Sequence, residues 1–142
     1  MSVPVEAIEI SPDELVSRFI TFRRWIRTSD DTVKPDAFMP PSDLNLSVTR
    51  QIGLSEELLW KIGQEVVARI AEKMPAALIG RADLLVKTLP PPLRAEAAAI
   101  VSNPNHAHLT GWPSNKSSQK NIAQRLAAVA SFLPLPRTIQ PQ

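Results

Sequence analysis

At 142 residues, the chain has the length of a single domain with a modest hydrophobic core. The formal net charge of +2 does not demand a nucleic-acid or membrane partner, and the absence of cysteine excludes disulfide and thiol chemistry and fits a reducing cytosol. The first residues carry no basic segment followed by an apolar run, and no apolar stretch is long enough to cross a bilayer. We therefore expect a cytoplasmic protein without a signal peptide or a membrane segment.

The N-terminal third begins with an expected extended arm at 1–10 and a helix signal. Ser11-Pro12-Asp13-Glu14 predicts the start of a short helix, because serine can cap, proline suits the first helical position and glutamate stands three residues after the cap. Aromatic and β-branched residues in 19–27 favour a strand for its latter part, although a continued helix also fits. After a polar loop at 28–41, the alternation of apolar and polar residues in 44–50 predicts a strand.

The segment 56–74 predicts the best helix of the chain. Ser55 is a suitable cap, and Pro75 ends the helix. Trp60 lies off the main apolar stripe, and we expect it to pack against the N-terminal elements rather than mark a partner surface. The apolar stripe of this helix consists of Leu58, Leu59, Ile62, Val66, Ile70 and Met74. A second helix is predicted over 119–132.

Two further strands are predicted over 82–89 and 93–101, joined by the stiff proline segment 90–92. The second of these strands is rich in alanine, so a helix is an alternative there. The proline-rich tail at 134–142 is expected to be extended or disordered, which leaves a single domain at 1–133.

Both histidines of the chain lie in one short stretch, directly after the turn-forming sequence Asn103-Pro104-Asn105. We predict a strand over 106–112. Because side chains alternate along a strand, Ala107 and Leu109 would face the core, while the two histidines and Thr110 face the other side. The two imidazoles would then lie about 6.5–7 Å apart, close enough to approach one ligand.

The two histidines are open to three interpretations. Both can be surface or half-buried groups that bond to neighbours, which is the more common case. A zinc site would need carboxylates to complete the shell, because the chain has no cysteine and no third histidine, so we expect no metal. His108-Leu109-Thr110 also matches the His-x-Thr signature of two-histidine phosphoesterases, but the second such motif that those enzymes need is absent.

Together these elements indicate an α+β protein: a mostly antiparallel sheet with the two main helices packed on one face. The other face would gather the polar side chains of two strands, provided that these strands are neighbours in a common orientation. Those side chains are Asn45, Ser47, Thr49, His106, His108 and Thr110.

The chain also carries three short motifs in a fixed order: Ala37-Phe38-x-Pro40, Leu46-Ser47-Val48-x-Arg50, and Asn103-Pro104-x-His106-Ala107 followed by Gly111-x-Pro113. This ordered set resembles a group of small uncharacterised bacterial proteins, over about residues 18–132. Those proteins have no assigned activity, so the resemblance implies a bacterial cytosolic setting and no catalytic residue.

We expect a non-enzymatic protein-binding or interaction module, such as an accessory or immunity-type subunit of a bacterial system, whose partner is another protein or a second copy. The alternative is a small phosphate- or nucleotide-handling enzyme in which His106 or His108 is the general acid or base and Arg50 holds the phosphate. Nucleic-acid binding by the basic and aromatic segment 18–27 is a weaker third interpretation. No cofactor is expected. The expected binding residues are His106, His108, Thr110, Arg50, Asn105 and Trp112.

Overall fold

The computed structural model describes residues 4–5 and 8–139, which contain one antiparallel sheet and two α-helices. The α+β class and the antiparallel sheet are therefore confirmed. The strands are β1 (Leu15–Ile20), β2 (Leu46–Arg50), β3 (Gly80–Leu85), β4 (Arg94–Ala97), β5 (His106–Thr110) and β6 (Ser131–Pro134), and the helices are α1 (Glu56–Ala71) and α2 (Lys116–Val129). Across the sheet the strands lie in the order β4-β5-β2-β1-β3-β6.

Both helices begin at a polar cap. The hydroxyl of Ser55 accepts a hydrogen bond of 3.2 Å from the N–H of Leu58, as the sequence predicts. The side chain of Asn115 does the same for Ser118 at 2.7 Å, so α2 begins three residues earlier than predicted. Among the described residues, no helix is long and apolar enough to cross a membrane.

One side of the sheet, here called the α2 face, buries aliphatic side chains against α2. Val16 and Ile20 of β1 are fully buried in this cluster, and the 3₁₀ helix Pro35–Phe38 adds Ala37 and Phe38 to it. The other buried members from the sheet and α2 are Leu46, Val48, Ala82, Leu84, Ala107, Leu109, Ile122, Ala123 and Leu126.

The second helix layer lies on the opposite side, here called the α1 face. A Cβ at Gly63 would lie only 2.7 Å from the ring of Phe19, so the glycine lets α1 approach the sheet closely. Trp60 is buried, as expected for a packing residue, but its ring contacts the guanidinium of Arg81 in β3, 4.8 Å from the ring centroid, rather than a residue of the N-terminal elements. The two helices therefore cover opposite faces rather than one. Phe19 and Ile20 are adjacent in β1 and both buried, so each face of this strand needs a covering layer.

The predicted helix after Ser11 is a single turn, so that prediction was wrong. Its reciprocal bonds do form: the N–H of Ser11 donates to the carboxylate of Glu14 at 2.9 Å, and the N–H of Asp13 donates to the hydroxyl of Ser11 at 3.2 Å. The chain then enters β1 at once, because six residue pairs with β3 outweigh the local helix signal. The strand expected late in 19–27 was also wrong, and a 3₁₀ helix spans Arg23–Trp25.

A sixth strand, β6, was not predicted. Its residues pair with β3 from Ser131↔Asp83 to Pro134↔Gly80, and the N–H of Leu135 then donates to the carbonyl of Ile79 at 3.0 Å. The expected tail thus begins as part of the sheet. Residues 140–142 of that tail, and residues 1–3 and 6–7 of the expected N-terminal arm, lie outside the described residues.

Candidate functional site

The two histidines lie where the strand prediction puts them. They belong to β5, with Ala107 and Leu109 fully buried on the α2 face and the imidazoles on the α1 face. The ring centroids are 4.9 Å apart in an edge-to-face arrangement, closer than the expected spacing. Nδ1 of His106 lies 2.9 Å from the carbonyl oxygen of Ala98, so Nδ1 carries the proton and Nε2 is the basic nitrogen.

The electrostatic surroundings favour a neutral His108. Burial lowers the pKa of His108, and the neighbouring His106 lowers it further, while the carboxylates of Asp43 and Glu96 act against this shift. Within residues 4–5 and 8–139, no group of three or more histidine, aspartate or glutamate side chains is placed to hold a metal ion.

Arg50 does not join the histidines, because its donors are engaged elsewhere. Its side chain is 1% exposed, and Nε and Nη2 each donate to the carboxylate of Glu14 at 2.8 Å, while Nη1 donates to the carbonyl of Val5 at 3.0 Å. Burial would raise the pKa of Glu14, but the hydrogen bonds and the charge of Arg50, with the N–H of Ser11, outweigh it and lower this pKa. Arg50 is therefore a buried ion-pair partner.

The remaining predicted binding residues hold the backbone near β5. Nδ2 of Asn105 donates to the carbonyls of Arg50 and Ile52, at 2.9 and 2.8 Å. Nε1 of Trp112 donates to the carbonyl of Leu109 at 3.0 Å. Thr110 is buried, and its hydroxyl has no hydrogen-bond partner among the described residues. Of the predicted set, only the two imidazoles come together, and both are half-buried.

A groove of about 500 Å³ lies on the α1 face, between α1 and the middle of the sheet. Its helix wall consists of Ile62, Val66 and Ile70, one turn apart. Its floor includes Thr49 and His106, which are directly paired across β2 and β5. The wall is thus the middle of the apolar stripe that the sequence predicts as core. These three side chains are only half-buried because they face the open groove.

The groove extends to a point where β1 and β2 separate. These strands pair only at Val16↔Arg50 and Ser17↔Thr49. Beyond that point Arg18 lies between them: Nε donates to the carbonyl of Ala37 at 2.9 Å, and Nη1 donates to that of Ser47 at 3.1 Å. The guanidinium therefore donates hydrogen bonds in the gap where the backbone hydrogen bonds between β1 and β2 stop.

Arg18 has no carboxylate partner among the described residues. Burial lowers the pKa of Arg18 to about 10, so the group is still a cation at neutral pH. Its guanidinium carbon lies 5.3 Å from the ring centroid of Trp25, which also lines the groove. Nη2 has no hydrogen-bond partner in the described chain, so an ordered cation borders this apolar space with one free donor group.

Sequence reasoning placed Arg18 and Trp25 in a candidate nucleic-acid cluster and did not connect them with the helix stripe. A usable signal was present: Arg18 is the single charge in Val16-Ser17-Arg18-Phe19-Ile20, an otherwise apolar or small run without an adjacent acid. No protein-family model, curated protein or solved structure matches the chain.

Proposed function

We propose that this chain is a protein-binding module that holds an apolar segment of a partner protein in the groove between α1 and the sheet. The observation that carries the proposal is the apolar rim of the groove. Met74 and Ile100 both line it and are 50% and 42% exposed, and Val101, the residue after Ile100, is fully exposed. Exposed apolar side chains at the edge of an apolar groove mark interaction surfaces in proteins.

The rim distinguishes a polypeptide from a small molecule. The volume of about 500 Å³ suits either occupant. A small ligand inside the groove would leave much of Met74 and Ile100 in water, whereas a segment of polypeptide that enters the groove would also cover them. An extended strand or an amphipathic helix presents apolar side chains at the spacing that such a groove accepts.

The enzymatic alternative has less support from the arrangement of its residues. It needs a cation beside the imidazoles to hold a phosphate, and Arg50 donates all three of its nitrogen groups to Glu14 and Val5 instead. His106 lines the groove and can contribute a polar contact to a bound segment. We further propose an accessory role in a bacterial cytoplasm, supported by the absence of cysteine and by the motif resemblance.

The test is a selection of random peptides displayed on phage against the purified protein, followed by affinity measurements on synthetic peptides. We expect enriched peptides with at least two apolar side chains, because the helix wall presents three aliphatic groups. Met74→Asn should weaken their binding about tenfold, since it removes the burial of one large apolar side chain.

The matched control is Val129→Asn on α2, which is 49% exposed but lies on the other side of the sheet. It should leave the affinity unchanged. Equal loss in both variants, or no selected peptide at all, would overturn the proposal. A concentration-dependent dimer in sedimentation that Met74→Asn abolishes would identify the occupant as a second copy of the chain and would also overturn it.

A further inference from the structure

Three arginines of the sheet are buried or half-buried, and they differ in their counter-ions. Arg50 forms a two-bond ion pair with Glu14. Arg81 bonds Asp83 through Nε at 3.0 Å, and its two terminal nitrogens bond Glu56 at 2.7 and 3.0 Å. Arg18 alone among these three has only backbone carbonyls and an aromatic ring as neighbours. Arg18 is half-buried, and a charge that is partly withdrawn from water without a counter-ion is costly, so a role in binding would account for this exception.

The guanidinium of Arg18 is held in one orientation. The carbonyls of Ala37 and Ser47 fix Nε and Nη1, and the guanidinium carbon lies 5.3 Å from the centroid of the Trp25 ring. A donor that is already oriented loses little conformational entropy when it binds a ligand. Nη2 is thus a preorganised donor at the edge of an apolar space.

The charges around the groove have one sign. Arg69 also lines it, from the exposed side of α1, and no aspartate or glutamate is among the residues that form its surface. Thr21 lines it as well; this residue is 2% exposed, and its hydroxyl has no hydrogen-bond partner among the described residues. A cation and a buried hydroxyl without partners both favour an occupant that brings hydrogen-bond acceptors and negative charge.

We infer that the segment bound in the groove carries a carboxylate that pairs with Arg18, beside the apolar side chains that contact α1. A carboxylate fits better than a phosphate, because the apolar walls and the single free terminal nitrogen of Arg18 offer few donors for a doubly charged group. This inference rests on the proposed function and adds the chemistry that selects the partner.

The test compares acid and amide forms of the selected peptides. Each aspartate or glutamate is replaced in turn by asparagine or glutamine, and each peptide is made with a free and with an amidated C-terminus. Isothermal titration then gives Kd on the wild-type protein. One replacement should weaken binding about tenfold or more, which is the size of a hydrogen bond to a charged group, and its position identifies a side-chain or a C-terminal carboxylate.

Arg18→Gln should bind the acid and amide forms equally, whereas Arg69→Gln, which removes a solvated cation from the same groove, should keep most of the preference for the acid. If peptides bind but acid and amide forms differ less than twofold on the wild-type protein, the inference fails while the proposed function stands. If acid selectivity persists in Arg18→Gln, another group supplies the charge and the assignment to Arg18 is overturned. Where Arg18→Gln does not fold, Arg18→Lys replaces it; a lysine that keeps the full selectivity would likewise contradict the fixed-donor geometry.

Discussion

The two faces of the sheet are formed by the same alternating strands but differ in how completely a helix covers them. On the α2 face, the side chains of four strands meet α2 in a continuous aliphatic cluster. On the α1 face, α1 buries Phe19 and Trp60 and leaves the strands β2, β5 and β4 only partly covered. In a chain of this length, one face of the sheet can thus supply most of the apolar core while half of the other face stays accessible.

The α1 face itself divides into a paired and an unpaired region. Under α1, the hydroxyl of Ser17 donates to Asp83 at 2.7 Å and accepts from Gln51 at 2.9 Å, and Arg81 completes this network. Where β1 and β2 separate, at the margin of this face, Arg18 has no carboxylate partner within the described chain. Satisfied networks of this kind fix one arrangement of the core, whereas the cation of Arg18 has only carbonyl and ring partners there.

The largest effect is expected when an ion pair that anchors the sheet is broken. Arg50→Met should lower the free energy of unfolding by about 3–5 kcal/mol, because it leaves the buried carboxylate of Glu14 unpaired. Urea denaturation at pH 7 measures this loss. The double variant with Glu14→Leu should recover most of it.

The pH dependence gives an independent control on the same pair. The pKa of Glu14 is lowered in the folded protein, so its contribution to stability is present above the unfolded value of 4.5 and is lost as pH falls below it. The wild-type protein should lose this contribution on acidification and Arg50→Met should not. Parallel acid profiles would contradict the assigned role of the pair.

A matched pair of truncations compares the two helix faces directly. Leu126→Ala on α2 should cost about 2–5 kcal/mol, because this side chain is fully buried in the cluster. Ile70→Ala on α1 should cost about 1 kcal/mol, because its side chain lines an open groove and stays partly in contact with water. Both values come from urea denaturation, and similar losses would mean that the groove is closed in solution.

The smallest effect concerns the imidazole pair. The pKa of His108 is lowered by burial and by His106, so the neutral form is favoured in the folded protein. Its contribution is complete above the unfolded value of 6.5 and is lost as pH falls below that value. In His108→Gln the melting temperature should therefore decrease less between pH 7 and pH 5 than in the wild-type protein. An unchanged or steeper decrease would show that His108 is not the group responsible.

The sequence was sufficient for elements whose signals are local. The cap Ser55, the alternation in β2 and the alternation in β5 each predict their element, and the structure confirms them. β1 and β6 were missed because their formation depends on pairing with β3, which is distant along the chain. The side that each helix covers was missed for the same reason, since alternation alone does not tell which buried face a helix will meet.

The candidate site was less predictable than the fold. The imidazoles were placed correctly, but Arg50 was expected beside them, and its buried pairing with Glu14 depends on a contact across 36 positions of the chain. The groove combines a helix stripe that resembles a core pattern with a charged residue of β1. A stripe of Ile62, Val66 and Ile70 has the same spacing whether it meets a closed core or a half-open groove, so periodicity does not separate these cases.

The position of Arg18 near the Trp25 ring has a practical consequence for optical measurements. The other two indoles, Trp60 and Trp112, are buried away from the groove. Only the Trp25 ring senses the guanidinium and the solvent at the groove surface. If the proposed segment binds in the groove, the intrinsic emission of the unlabelled protein should change, and the Trp25→Phe variant should not show this change.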